Sequence, residues 1–139
     1  MNIYLDIDGV LIGYDDNKAA NYADEFIKYV LANYPNSTYW LTTHCQGDAT
    51  RPVKYLEHLF DEETVKLLQM IKATTWLDSP KKTSAIDFTK PFIWFDDNLF
   101  YGEKEDLLQN NKFDNYIEVN LRKDPNQLQK FIMSFPIAM

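Results

Sequence analysis

Apolar and polar positions follow two different rhythms along this chain, and the order in which they change defines the expected elements. Residues 2–7 (Asn-Ile-Tyr-Leu-Asp-Ile) read as a short buried strand that ends at Asp8-Gly9. From Asn17 to Tyr34 the apolar side chains Tyr22, Phe26, Tyr29, Val30 and Tyr34 recur at helical spacing, and Pro35-Asn36-Ser37 stops the helix. Thr38–Thr42 is β-branched and aromatic, a second strand. Pro52 suits the first turn of a helix running to about Phe60, with Thr50 as the expected cap, and Asp61 opens a further helical stretch through Ile71. Thr74–Leu77 is a weak third strand, and Lys82–Phe88 one or two helical turns. Pro91–Phe95 is a strongly apolar fourth strand closed by Asp96-Asp97-Asn98. A helix over about Glu103–Gln109 leads to a fifth strand, Tyr116–Val119. Asp124-Pro125 then starts a last helix with Leu128, Phe131, Ile132 and Phe135 on one face.

Strands that alternate with helices predict an α/β fold: three Rossmann-like layers, with about five parallel strands covered by helices on both faces. No repeat, low-complexity stretch or linker divides the chain, so residues 1–139 are expected to form one domain.

Charge and cysteine usage narrow the function classes. The net charge of −7 does not favour a long nucleic-acid footprint, which calls for a basic face. Local basic residues (Lys81, Lys82, Lys90, Arg122, Lys123) leave room for a phosphorylated nucleic-acid end. Cys45 is the single cysteine, which excludes an internal disulfide and a cysteine zinc cluster. The N-terminus lacks signal-peptide character and no apolar run reaches membrane-spanning length, so a cytoplasmic monomer without membrane contact is expected.

The chemistry sits where strands end. Asp6 and Asp8 follow the first strand, Thr42 and Thr43 the second, Lys82 the third, and Asp96 and Asp97 the fourth. In an open α/β sheet, ligands bind outside the carboxyl ends of the strands where strand order reverses, and each of these side chains can reach that edge. Four carboxylates gathered there would repel one another unless a cation neutralised them. All-oxygen ligation suits Mg²⁺, and a lysine and a hydroxyl beside the acids imply an anionic, phosphorylated substrate. One carboxylate can then attack phosphorus while a second moves the leaving-group proton.

The ordered set Asp6-Ile7-Asp8-Gly9-Val10, Leu41-Thr42, Lys82 and Phe95-Asp96-Asp97 resembles the four motifs of the haloacid-dehalogenase-like hydrolases, over nearly the whole chain. That resemblance implies a Mg²⁺-dependent phosphatase. Asp6 would be the nucleophile and a metal ligand; Asp8 would be the general acid/base, with its backbone carbonyl on the metal. Thr42 would hydrogen-bond the phosphoryl oxygens, and Lys82 would neutralise them. Asp96 would ligate Mg²⁺ directly, and Asp97 directly or through water. Two roles are open by one residue: Thr43 could replace Thr42, and Lys81 could replace Lys82. The segments after Asp8 and between Thr42 and Lys82 are too short for a sizeable cap domain. The Trp-Leu-Thr-Thr and Trp-Phe-Asp-Asp contexts also resemble small phosphatase-like domains associated with RNA repair.

Two other readings compete. A receiver-type signalling domain shares the sheet, Mg²⁺ and an aspartyl-phosphate, but would place the phosphorylated Asp on strand three, ahead of Thr/Ser and Lys. A non-catalytic phospho-ligand module on the same fold would not need the full set of acids. His44 and Cys45 invite a Cys–His nucleophile, yet adjacent residues seldom face each other; His44 is equally a substrate contact or a loop residue. Trp40, Trp76 and Trp94 are expected in the core, with Trp76 able to border the site.

Overall fold

The computed structural model describes residues 1–76 and 79–134. Its centre is a parallel sheet of four strands, β1 (Asn2–Leu5), β2 (Thr38–Trp40), β3 (Phe92–Asp96) and β4 (Tyr116–Glu118), in the order β2-β1-β3-β4. The helices are α1 (Ala23–Asn33), α2 (Thr50–Leu56), α3 (Glu62–Leu68), α4 (Tyr101–Gln109) and α5 (Gln127–Ser134). Strand alternation sends side chains to two faces. Ile3, Leu5 and Phe95 join Phe26, Ile27, Leu68 and Leu128 in the larger core, against α1, α3 and α5. Tyr4, Phe92 and Trp94 point the other way, onto Ile86 and Leu107 of the α4 side. The apolar periodicity of α1 and α5 is thus satisfied by one face of the sheet. The expected three layers are present.

Among the described residues the sheet has four strands, not the expected five. After α3, Lys72 makes a single parallel bridge to Tyr39, and the chain then leaves the sheet. Thr74 donates its hydroxyl to the Trp40 carbonyl (2.5 Å) and its own carbonyl accepts the Gly47 amide (2.7 Å), while the Trp76 amide bonds the Gln46 side chain (3.2 Å). The β-branched and aromatic residues of 74–76 therefore fasten the loop after β2 instead of forming a strand. Leu77, the end of that expected strand, and Phe135, on the expected face of the last helix, lie outside the described residues.

Several helix starts also move. α1 begins at Ala23, because Asn17 and Tyr22 adopt positive φ (53° and 65°) and the segment before it folds back on the first loop. Thr50 is the first residue of α2, and Asp48, not Thr50, accepts the local hydrogen bonds (2.6 and 3.0 Å). Asp61 caps α3 as expected, accepting from the Thr64 amide at 2.8 Å. Among the described residues no helix is long and apolar enough to cross a membrane.

Strand order fixes where a site can form. From β1 the chain crosses by α1 to β2 on one side; from β3 it crosses by α4 to β4 on the other. The order reverses between β1 and β3, which opens a crevice at their carboxyl ends.

Candidate functional site

Register brings Asp6, after β1, and the Asp96-Asp97 pair, at the end of β3, together. Leu5 pairs with Phe95, and the Asp6 amide donates to the Phe95 carbonyl at 3.1 Å, so Asp6 and Asp96 leave adjacent strands side by side at the switch point. Both are buried, Asp96 with 1 % of its surface exposed and Asp6 with 7 %. Each of Asp6, Asp96 and Asp97 offers an oxygen within 4.8 Å of the others. Asp96 is locked in place, since its Oδ1 accepts the amides of Asp97 (2.7 Å) and Asn98 (3.2 Å).

Lys82 enters from the 3₁₀ turn Lys82–Ala85, with Nζ 2.7 Å from Asp96 Oδ2 and 3.4 Å from Asp6 Oδ2. Lys81 points away and pairs with Asp106 at 2.9 Å. One residue of register thus separates the lysine that faces the acids, its side chain 12 % exposed, from a neighbour at 41 %. Glu103, which the sequence reading did not single out, decides that register. It is buried on α4, and its two oxygens accept the amides of Lys82 (2.8 Å) and Phe100 (3.1 Å). Asp106, one turn on, accepts the Thr83 hydroxyl at 2.6 Å. A glutamate in the first turn of a helix reads as dipole chemistry, and nothing local marks it as an anchor for a segment 21 residues upstream.

These charges are out of balance. Burial, followed by the negative charge of Asp6, pushes Asp96 up to about 9. Burial also raises Asp6, although Lys82 opposes the shift. Burial alone would lower Lys82; the charges of Asp6 and Asp96 outweigh it and raise the ammonium. A buried group with more acid than base is one that a further cation would relieve. Asp6, Asp96 and Asp97 provide only carboxylate oxygens, the donor set of Mg²⁺ rather than of a softer metal. The residues present fit such an ion.

The loop after β1 presents the remaining groups. The Ile7 carbonyl accepts the amides of Val10 and Leu11 (3.1 and 2.9 Å), and Ile12 bridges to Ala19, making a small flap with Tyr14 near its tip. Tyr14 donates a short hydrogen bond to Asp97, and Arg122 lies over its ring at 4.2 Å. Gly9 makes this approach possible: φ is +80°, and a Cβ there would lie 2.5 Å from the Tyr14 hydroxyl and 2.7 Å from an Asp97 oxygen.

Asp8 stands apart from the buried acids. Its Oδ2 is 2.8 Å from His44 Nε2 and its Oδ1 accepts the Tyr55 hydroxyl at 3.1 Å. Cys45 is buried, with its thiol on the Thr74 carbonyl at 3.6 Å, so His44 and Cys45 face different partners and form no nucleophile pair. Thr42 is buried at 1 % exposure, and its hydroxyl accepts the His44 amide at 3.3 Å. Thr43 is exposed and lines the crevice with Asp6, Asp8, Lys82, Asp96 and Asp97. Trp76, Pro80 and Phe100 form an apolar wall opposite, in a cavity of about 230 Å³. Trp76 borders the site, whereas Trp40 and Trp94 are fully buried in the core. Comparison of the chain with protein-family models, with curated proteins and with solved structures gives no match.

Proposed function

We propose that the chain is a Mg²⁺-dependent phosphomonoester hydrolase of the haloacid-dehalogenase-like kind, acting through an aspartyl-phosphate on Asp6. The observation that carries this reading is the juxtaposition of Asp6 and Asp96 at the strand-order reversal, with Lys82 Nζ 3.4 and 2.7 Å away. Asp6, Asp96 and Asp97 would hold the ion. When bound, Mg²⁺ would neutralise the carboxylates and polarise the phosphoryl oxygens.

The protein's own groups would divide the work as follows. Lys82 draws the phosphoryl group toward Asp6 and offsets its charge. Thr43, the threonine that reaches the crevice, hydrogen-bonds a phosphoryl oxygen; Thr42, buried behind it, holds the loop through the His44 amide. An Asp6 carboxylate oxygen attacks phosphorus as the ester P–O bond breaks, and the Asp8 carboxyl gives its proton to the departing oxygen. Water then attacks the aspartyl-phosphate, Asp8 takes the proton from that water, and inorganic phosphate leaves with Asp6 restored. The apolar wall of Trp76 and Phe100 borders the position of the leaving group.

Hydrolysis of an aryl phosphate by the purified chain tests this directly. It should depend on added Mg²⁺ and disappear with excess chelator. Full turnover in chelator would contradict the reading.

A further inference from the structure

Asp8 is the acid of the site whose carboxyl stands clear of the buried group, with 54 % of its side chain exposed. An exposed carboxylate ordinarily samples several rotamers, and confining it to one costs side-chain entropy. Here each oxygen has its own donor, His44 Nε2 on Oδ2 at 2.8 Å and the Tyr55 hydroxyl on Oδ1 at 3.1 Å. The two donors also brace each other, since their rings stack with centroids 4.0 Å apart and planes 20° from parallel. Behind them the anchorage continues into the fold. The His44 amide rests on the buried Thr42 hydroxyl, and Tyr55 rises from α2, whose Val53 and Leu56 are buried in the core. Asp8 belongs to the loop after β1, and both donors belong to the connection after β2. The contact therefore spans two elements and is no local turn.

We propose that His44 and Tyr55 are positioning residues, a clamp that fixes the Asp8 carboxyl for proton transfer in the reaction proposed above, on which this inference rests. Each carboxyl oxygen has more than one lone-pair site, so a clamped Asp8 still has one free to carry the proton it donates to the leaving oxygen and, once ionised, to accept from the attacking water. The clamp removes the rotamer search that an exposed acid would otherwise make before each transfer. Neither donor is asked to touch the phosphate or to exchange a proton with substrate.

The test uses the full chain with Mg²⁺ and single-turnover rates on two esters, p-nitrophenyl phosphate and glycerol phosphate. Tyr55→Phe keeps the stacked ring and loses the hydroxyl; His44→Ala removes the donor; His44→Gln restores an N–H near the position of Nε2. Tyr55→Phe and His44→Ala should each slow glycerol phosphate about tenfold, the scale of a hydrogen bond to a charged group, with KM nearly unchanged. The loss should shrink on p-nitrophenyl phosphate, whose leaving group hardly needs a proton, and His44→Gln should recover most of it. In an Asp8→Asn background neither substitution should slow glycerol phosphate further. Equal losses on both esters, a rise in KM alone, or additive losses in the Asp8→Asn background would overturn the clamp and place these residues on the substrate or in the fold only. A wild type that hydrolyses neither ester would overturn the reading of the site itself, and the clamp with it. Asp8-dependent hydrolysis with additive losses would overturn the clamp alone.

Discussion

Replacing Asp96 by asparagine separates the charge of the buried cluster from its shape. Asparagine keeps an oxygen for the amides of Asp97 and Asn98, which Asp96 now caps at 2.7 and 3.2 Å, so the fold should persist. What is lost is a titrating group that burial, and then the Asp6 charge, push up to about 9. Its pKa in the unfolded chain is near the ordinary carboxylate value of about 3.9, so between these values the native state binds more protons than the unfolded one. Stability of the metal-free protein must therefore fall as pH rises through that window, by up to about 1.4 kcal/mol per pH unit for one proton. Asp6, also raised, acts with the same sign. The depressed carboxyls of Asp48, Asp61, Asp87, Asp106 and Asp124 contribute stability that is lost only as pH falls below the ordinary carboxylate range, so they do not act here. For a chain of this size 1 kcal/mol moves Tm by roughly 3 °C, which predicts a decline of roughly 4 °C per pH unit between about pH 5 and 8 in chelator. Mg²⁺ at about a hundred times its Kd should return about 2.7 kcal/mol, or roughly 8 °C. Thermal melts followed by circular dichroism, with and without Mg²⁺, read both effects. In Asp96→Asn the pH slope should flatten and the Mg²⁺ shift should vanish. An unchanged slope, or a Mg²⁺ shift that survives the substitution, would refute the reasoning.

The two threonines should separate cleanly: Thr43→Val should lower aryl phosphate hydrolysis without a change in Tm, whereas Thr42→Val, which loses a buried hydrogen bond, should cost about 1 kcal/mol of stability and little turnover. Parallel enzyme assays and melts check this, and the reverse pattern would return the phosphoryl contact to Thr42. Glu103→Ala strips the acceptor from the amides of both Lys82 and Phe100 and should cost about 2–4 kcal/mol in denaturant unfolding, with Glu103→Gln milder because one oxygen remains.

The acidic pairs were legible because each follows an unbroken apolar run, Ile3–Leu5 and Phe92–Phe95, so the first acid after the run falls at the sheet edge. Their adjacency shows only in the folded sheet, because alternation of strands and helices does not say which strand lies beside β1; here it is β3. What was not legible depended on contacts across long separations. Lys81 and Lys82 differ by one position in a short turn, and the choice is made by Glu103 and Asp106 on a later helix. Thr74–Trp76 has strand composition, but its hydrogen-bonding groups are taken by the Cys45–Gly47 loop and by Trp40. Tyr55 reads as the polar-side residue of an amphipathic helix, and Tyr14 as a turn aromatic. Only the folded chain brings the first to Asp8 and the second to Asp97.

The central claim is that phosphorus is transferred to Asp6. Rapid acid quenching of the enzyme during turnover of a radiolabelled aryl phosphate measures it, with the labelled protein then cleaved and the modified peptide located. Label should accumulate transiently on the Asp6 peptide in wild type, persist longer in Asp8→Asn because water attack is slowed, and be absent from Asp6→Asn. Label that survives in Asp6→Asn would show that another group attacks phosphorus and would contradict the account.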